Sequence, residues 1–265
     1  MNLRILLVLA ATSLLVGCTT VPETGRRQVM LVSPNEEAQM GLAAFDQIKK
    51  EEKISKDPAA NAQVQRVGKR IAQSVGREIP NAQWEFVVFD SDQVNAFALP
   101  AGKVGVYTGL LKLAGSDDEL AAVMGHEVAH VSSRHGAERT SQNYLAAGGA
   151  ALTEIGMQIK DVDPNKRAAI LGLYGVGVNV AGLLPYSRLH ESEADEIGLR
   201  FAAGAGYDPR AAVTFWKKMA AKSAGQSKPP QFLSTHPSDD TRIRRLEQLA
   251  PQYMSVYEAN KGRFQ

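Results

Sequence analysis

Five residues in the middle of the chain, His126-Glu127-Val128-Ala129-His130, carry the clearest chemistry. Successive residues of a helix turn by about 100°, so His126 and His130 stand one above the other on one face. Two imidazoles at that spacing can share one Zn²⁺. Glu127 flanks the same face, placed to act as a general base on an activated water. Val128 and Met124 point the other way and are expected to pack the helix into a core. His135 lies nine residues beyond His126, about half a turn round, which is the wrong side for a ligand.

A catalytic zinc needs a third protein ligand and an open position. The stretch Ser187-Arg188-Leu189-His190-Glu191-Ser192-Glu193-Ala194-Asp195 offers three, His190, Glu191 and Glu193. Glu191 gains from Asp195, one turn later on the same face, which can accept a hydrogen bond from a ligating histidine or assist proton transfer. Glu193 points about 200° away from Glu191. The competing reading is a solvated acidic face, with Glu191, Glu193 and Glu196 answered by Arg188 and Arg200.

These groups need elements to hold them. Ser116 with Glu119 three residues later forms a capping box that should start the helix of His126. Ser33-Pro34-Asn35-Glu36 opens an earlier helix expected to reach about Lys53, and a second should run from Asp57 to Val75. Trp84 to Phe89, Asn95 to Leu99 and Val104 to Tyr107 read as strands of a small antiparallel sheet, with a turn at Pro100–Lys103. The edge strand at Asn95, Ala96, Phe97 and Ala98 precedes the His126 helix, where an extended substrate could pair with it; Phe97 serves equally well as core. The apolar stretch from Tyr144 to Leu184 is split by Lys160, Asp161, Asp163, Pro164, Lys166 and Arg167. It reads as two packed helices rather than membrane spans. The fold class is α+β and predominantly helical.

Whole-chain properties narrow the rest. The 265 residues are 44% hydrophobic, enough for one sizeable core. Thirty Lys and Arg against 28 Asp and Glu argue against nucleic acid as an obligate partner, which usually needs a strong basic stripe. One cysteine rules out an internal disulfide and any CxxC metal site. That cysteine, Cys18, ends the run Leu15-Val16-Gly17-Cys18 behind a short apolar segment, as in a bacterial lipobox. Residues 1–17 are thus expected to be a lipoprotein signal peptide, 18–32 a lipidated tether and 33–265 a zinc metallopeptidase domain. Acylation at Cys18 would hold the chain to a membrane by lipid.

Four blocks in order resemble the HtpX-type and CAAX-prenyl-protease-type zinc metallopeptidases, in their periplasmic lipoprotein subgroup. They are Asn95–Pro100 with Gly102 and Val104, His126–His130, Ser187-Arg188 leading to Glu191 and Ala194-Asp195, and Thr235-His236-Pro237 followed by Arg242. Thr24–Gln28 (TGRRQ) also matches that subgroup. The resemblance implies a zincin-like domain with one Zn²⁺ on His126, His130 and Glu191. It implies Glu127 as catalytic base and Asp195 as proton donor or as support for a ligand. His236 matches a histidine that can close the water position in a latent form. His236, Arg242 and Tyr186 compete as oxyanion donors. The implied partners are unfolded or misassembled envelope proteins, with outer-membrane proteins among them. The implied place is the outer membrane, facing the periplasm.

Overall fold

In a computed structural model, residues 18–177, 184–224, 230–237 and 240–263 are described. The expected signal peptide lies outside them. The chain forms two compact units, one from residues up to Pro34 with Arg134–His190, the other from Asn35–Ser133 with Glu191 onward.

The second unit holds most of the core. Helix α1 (Pro34–Glu51) buries Phe45, and α2 (Pro58–Val75) buries Val64, Val67, Ile71 and Val75, a helical stripe. Asp57 caps α2 by accepting the Ala59 and Ala60 N–H groups. Three strands follow, β3 (Glu85–Phe89), β4 (Ala96–Leu99) and β5 (Lys103–Tyr107), after β1 and β2 of the other unit. Their spatial order is β3-β5-β4. The sheet is therefore mixed: β4 pairs antiparallel with β5, as expected, but β3 pairs parallel with β5. The chain crosses from β3 to the far edge and turns back through Ala101 and Gly102, both at positive φ, so the last strand enters between the other two. Among the described residues, β4 pairs as a strand with β5 alone.

Helix α3 (Thr108–Ala114) closes on the left-handed Gly115, and Ser116 then caps α4 (Asp117–Ser132) by accepting the Glu119 N–H. Helix α4 is buried almost throughout, with Met124 and Val128 fully so, and it packs on β4. It ends at Ser132, so His135 is not on it but opens the next helix. His135 is excluded as a ligand by that break, not by its angle. Helix α7 (Leu184–Gly204) crosses α4 at very close range. A Cβ on Gly125 would stand 2.7 Å from the Gly198 carbonyl oxygen, and one on Gly198 would stand 2.8 Å from the His126 nitrogen. Glycine at both positions lets the two backbones touch. Helices α8 (Ala211–Ser223), α9 (Gln231–Thr235), α10 (Asp240–Leu249) and α11 (Met254–Asn260) complete the unit.

The first unit contains the segment expected to be a tether. Instead β1 (Cys18–Thr20) and β2 (Arg27–Val29) pair antiparallel, burying Val21, Gln28, Met30 and Val32. The reason is a buried carboxylate on α5 (His135–Ile159). Glu138 accepts two bonds from Arg26, at 2.9 and 2.8 Å, and one from Gln28 at 3.2 Å, and it lies 2.9 Å from His190 Nε2. His135 stacks on His190 with ring centroids 4.2 Å apart. Burial opposes ionisation of Glu138, but the His190 and Arg26 contacts prevail and hold its carboxyl at about 2. Helix α5 breaks at Lys160–Asp163 and packs on α6 (Pro164–Gly177), the expected helical pair. Among the described residues no helix is long and apolar enough to cross a membrane.

Candidate metal centre

Two helices and one loop converge in the second unit. His126, Glu127 and His130 come from α4, Glu191 and Asp195 from α7, and His236 directly follows α9. Among the described residues, His126, His130, Glu191 and His236 form a group whose ligand atoms all lie within 4.8 Å of one another. His126 Nε2 is 3.1 Å from His130 Nε2 and 3.4 Å from Glu191 Oε2, while His130 Nε2 is 3.4 Å from Glu191 Oε1. His236 Nδ1 lies 3.2 Å from His126 Nε2 and 3.0 Å from Glu191 Oε2. Of the three competing third ligands, Glu191 joins this group; His190 is engaged by Glu138 and Glu193 stands apart from it.

Electrostatics fit a cation at the convergence point. Burial disfavours a charged His126, yet the bonds to Asp195 and Glu191 outweigh it and push the imidazole up to about 9. Glu191 is itself buried, but contacts with His126, His130 and His236 hold its carboxyl far below the usual range. Imidazole and carboxylate together suit a first-row metal.

Glu127 differs from its neighbours. It is 4% exposed, and its Oε1 makes no hydrogen bond. His236 Nε2 lies 3.3 Å from that oxygen. Burial, opposed by His236 and His126, pushes the Glu127 carboxyl up. A buried carboxyl oxygen without a hydrogen bond is costly, and with a raised pKa inside such a cluster it is a candidate for a functional role.

Asp195 stands behind His126. Its Oδ1 is 3.0 Å from His126 Nδ1, and Arg242 grips both oxygens at 2.9 and 2.7 Å. Burial works against the Asp195 charge, but Arg242 and His126 hold its carboxyl low. Arg242 also reaches the Pro237 carbonyl, 3.1 Å, and Glu191 Oε2, 3.1 Å. Trp216, which nothing in the sequence singled out, lies flat beneath Arg242 with the guanidinium carbon 3.5 Å from the ring centroid.

The strand residues fall into two sets. Ala96 and Phe97 contribute to the core: Ala96 is buried, and Phe97 meets Phe45, Phe89 and Tyr107. Ala98 and Leu99 follow on the same edge strand, and Asn95 precedes it. The Val94 carbonyl accepts the Phe232 N–H, tying α9 to the start of that edge. The side chain of Tyr186 lies outside the described residues, as does the expected acyl site at the Cys18 side chain.

The chain is 35% identical over 235 residues to the mitochondrial metalloendopeptidase OMA1 of Schizosaccharomyces pombe, covering 88% of this chain and 66% of that one. It is 39% identical over 187 residues to the mitochondrial metalloendopeptidase OMA1 of Bos taurus, covering 68% and 35%. With the beta-barrel assembly-enhancing protease of Escherichia coli K12 it shares 27% over 246 residues, covering 90% and 50%. The chain thus spans between about a third and two thirds of the length of these relatives. The model of peptidase family M48 matches residues 58–250, a stretch that contains every side chain of the converging group, and the chain belongs to that family.

Proposed function

We propose that the chain is a zinc endopeptidase. The observation that carries this is the spacing of the ligand atoms. Zinc held tetrahedrally at about 2.0–2.1 Å sets neighbouring ligand atoms about 3.3–3.4 Å apart. The five separations given above, which involve both oxygens of Glu191, run from 3.0 to 3.4 Å, and one ligand atom from each of the four residues lies within 4.8 Å of the others. His126, His130 and Glu191 are the resident ligands in this reading, one Zn²⁺ per chain.

When bound, zinc polarises a peptide carbonyl and lowers the pKa of water to about 7. The protein supplies the rest. Glu127 Oε1 takes the proton of the attacking water and passes it to the nitrogen of the leaving amine, a role favoured by its raised pKa. Asp195 fixes the orientation of His126 through Nδ1 rather than touching substrate, because Arg242 holds both its oxygens. The same grip argues against Arg242 as the oxyanion donor. The edge strand β4 beside α4 would hold an extended substrate by main-chain bonds, which favours unfolded or misassembled proteins.

His236 supports a latent state. Its Nδ1 sits at the fourth corner of the ligand group and its Nε2 faces Glu127, so it blocks both substrate and base until it moves. The alternative function, a non-proteolytic chaperone or assembly scaffold, draws on the same observation.

The finer assignment is an envelope lipoprotein anchored through Cys18 and facing the periplasm at the outer membrane, acting in protein quality control with outer-membrane protein partners. The lipobox-like Leu15–Cys18 and the name of the Escherichia coli relative support it. The decisive experiment uses protein lacking residues 1–18 and casein as substrate. Cleavage that stops with a chelator and returns with zinc is expected. No cleavage under any metal, with suppression of aggregation intact, would establish the scaffold instead.

A further inference from the structure

We propose that Trp216 is a positioning residue for the metal centre, acting through Arg242. The inference rests on the zinc reading above and adds a residue that no motif identifies.

All three nitrogens of Arg242 are engaged at once, in four contacts. Its Nε and Nη2 hold the two oxygens of Asp195, Nη1 reaches the Pro237 carbonyl, and Nη1 also approaches Glu191 Oε2 at 3.1 Å. One guanidinium therefore touches the carboxylate that orients His126, a metal ligand itself, and the backbone next to His236. That position is useful and hazardous. Glu191 Oε2 is wanted by the metal, and a cation that slides toward it would compete for the same oxygen. The fork must stay where its bidentate bond to Asp195 is made.

In-plane hydrogen bonds fix a guanidinium along its edges but leave its tilt open. The indole of Trp216 fixes the tilt. It lies 3.5 Å from the Arg242 carbon, a stacked cation–π contact between two side chains that are 4% and 8% exposed. Trp216 also meets the ring of His126 edge-on at 6.2 Å and the ring of Phe232 at 5.6 Å. Phe232 in turn packs on His236, with centroids 4.7 Å apart. The indole is thus the shared floor of the Arg242 fork, the first ligand and the segment leading to His236. Helix α8 holds it rigidly: Ala212, Phe215 and Met219 of the same helix are buried.

A chain of contacts follows, from Trp216 to Arg242, Asp195 and His126. Partners behind a metal ligand typically contribute about 10–100-fold to metal affinity or activity. Trp216→Leu removes the stacking face and should weaken zinc, measured by chelator competition on the whole chain, by about that factor. Trp216→Phe keeps a face and should stay close to wild type. Phe215→Leu, a neighbouring core change on the same helix, should lower the melting temperature without moving zinc affinity. Arg242→Lys keeps the charge and loses the fork, and the double variant Trp216→Leu/Arg242→Lys should bind zinc no more weakly than either single.

Zinc affinity is read without any substrate, so it stands apart from whether the chain cleaves protein. Additive losses in the double variant, or equal losses in Trp216→Leu and Phe215→Leu, would overturn the proposal. If Trp216→Leu does not fold, Trp216→Phe and Arg242→Lys still decide. Zinc binding as weak in Trp216→Phe as in Arg242→Lys, despite the retained ring, would contradict it.

Discussion

At the scale of single residues, the proposed function divides the site into groups that bind, groups that react and groups that orient. Glu191 and Glu193 differ by two positions, yet only Glu191 joins the converging ligand atoms. Zinc content after dialysis should therefore collapse in Glu191→Ala and persist in Glu193→Ala. His236 faces both the ligand group and Glu127. His236→Ala should retain zinc and degrade casein faster than wild type, a comparison of initial rates at equal zinc loading. The residues proposed to bind and react stand out in the sequence because HExxH is a local pattern. The choice of Glu191 was readable once Asp195 was seen one turn later. Trp216 was not, since its partner lies 26 positions along the chain, on another helix, and an isolated tryptophan in an apolar helix resembles any core residue.

At the scale of elements, capping and periodicity placed the helices well. The expected starts at Pro34, after Asp57 and after Ser116 are the starts observed. Strand positions were also legible, but strand order was not. Pairing of β3 with β5 joins residues 18 apart across an intervening strand, and no local pattern encodes which neighbour a strand takes. The contact of α4 with α7 left a signal that was not read: glycine directly before His126 and again at 198. Gly198→Ala places a methyl against the His126 backbone. Overpacking of this kind costs about 1–3 kcal/mol. The variant should melt several degrees lower and bind zinc more weakly, by thermal unfolding with and without metal.

At the scale of the whole chain, the two parts of the ligand set are separated in sequence by residues 134–190, which belong to the other unit. That unit is built on Glu138, whose partners Arg26, Gln28 and His190 come from both ends of its sequence. Arg26 and Gln28 looked like linker because their anchoring depends on a carboxylate more than a hundred positions away. With its carboxyl held near 2 rather than 4.5, Glu138 contributes stability that is present above the ordinary glutamate value and lost as pH falls toward 2. The full difference amounts to about 3 kcal/mol. Acid melting curves should show wild type losing stability between about pH 4.5 and pH 2, with Glu138→Gln less stable at neutral pH and flatter in that window.

The proposed function makes Glu127 the base of a zinc site that it does not help to hold. Glu127→Gln tests it most directly, with zinc stoichiometry and casein cleavage measured on the same preparation. One zinc per chain, as in wild type, and abolished cleavage are expected. A variant that keeps wild-type cleavage, or one that loses zinc along with activity, would contradict that role.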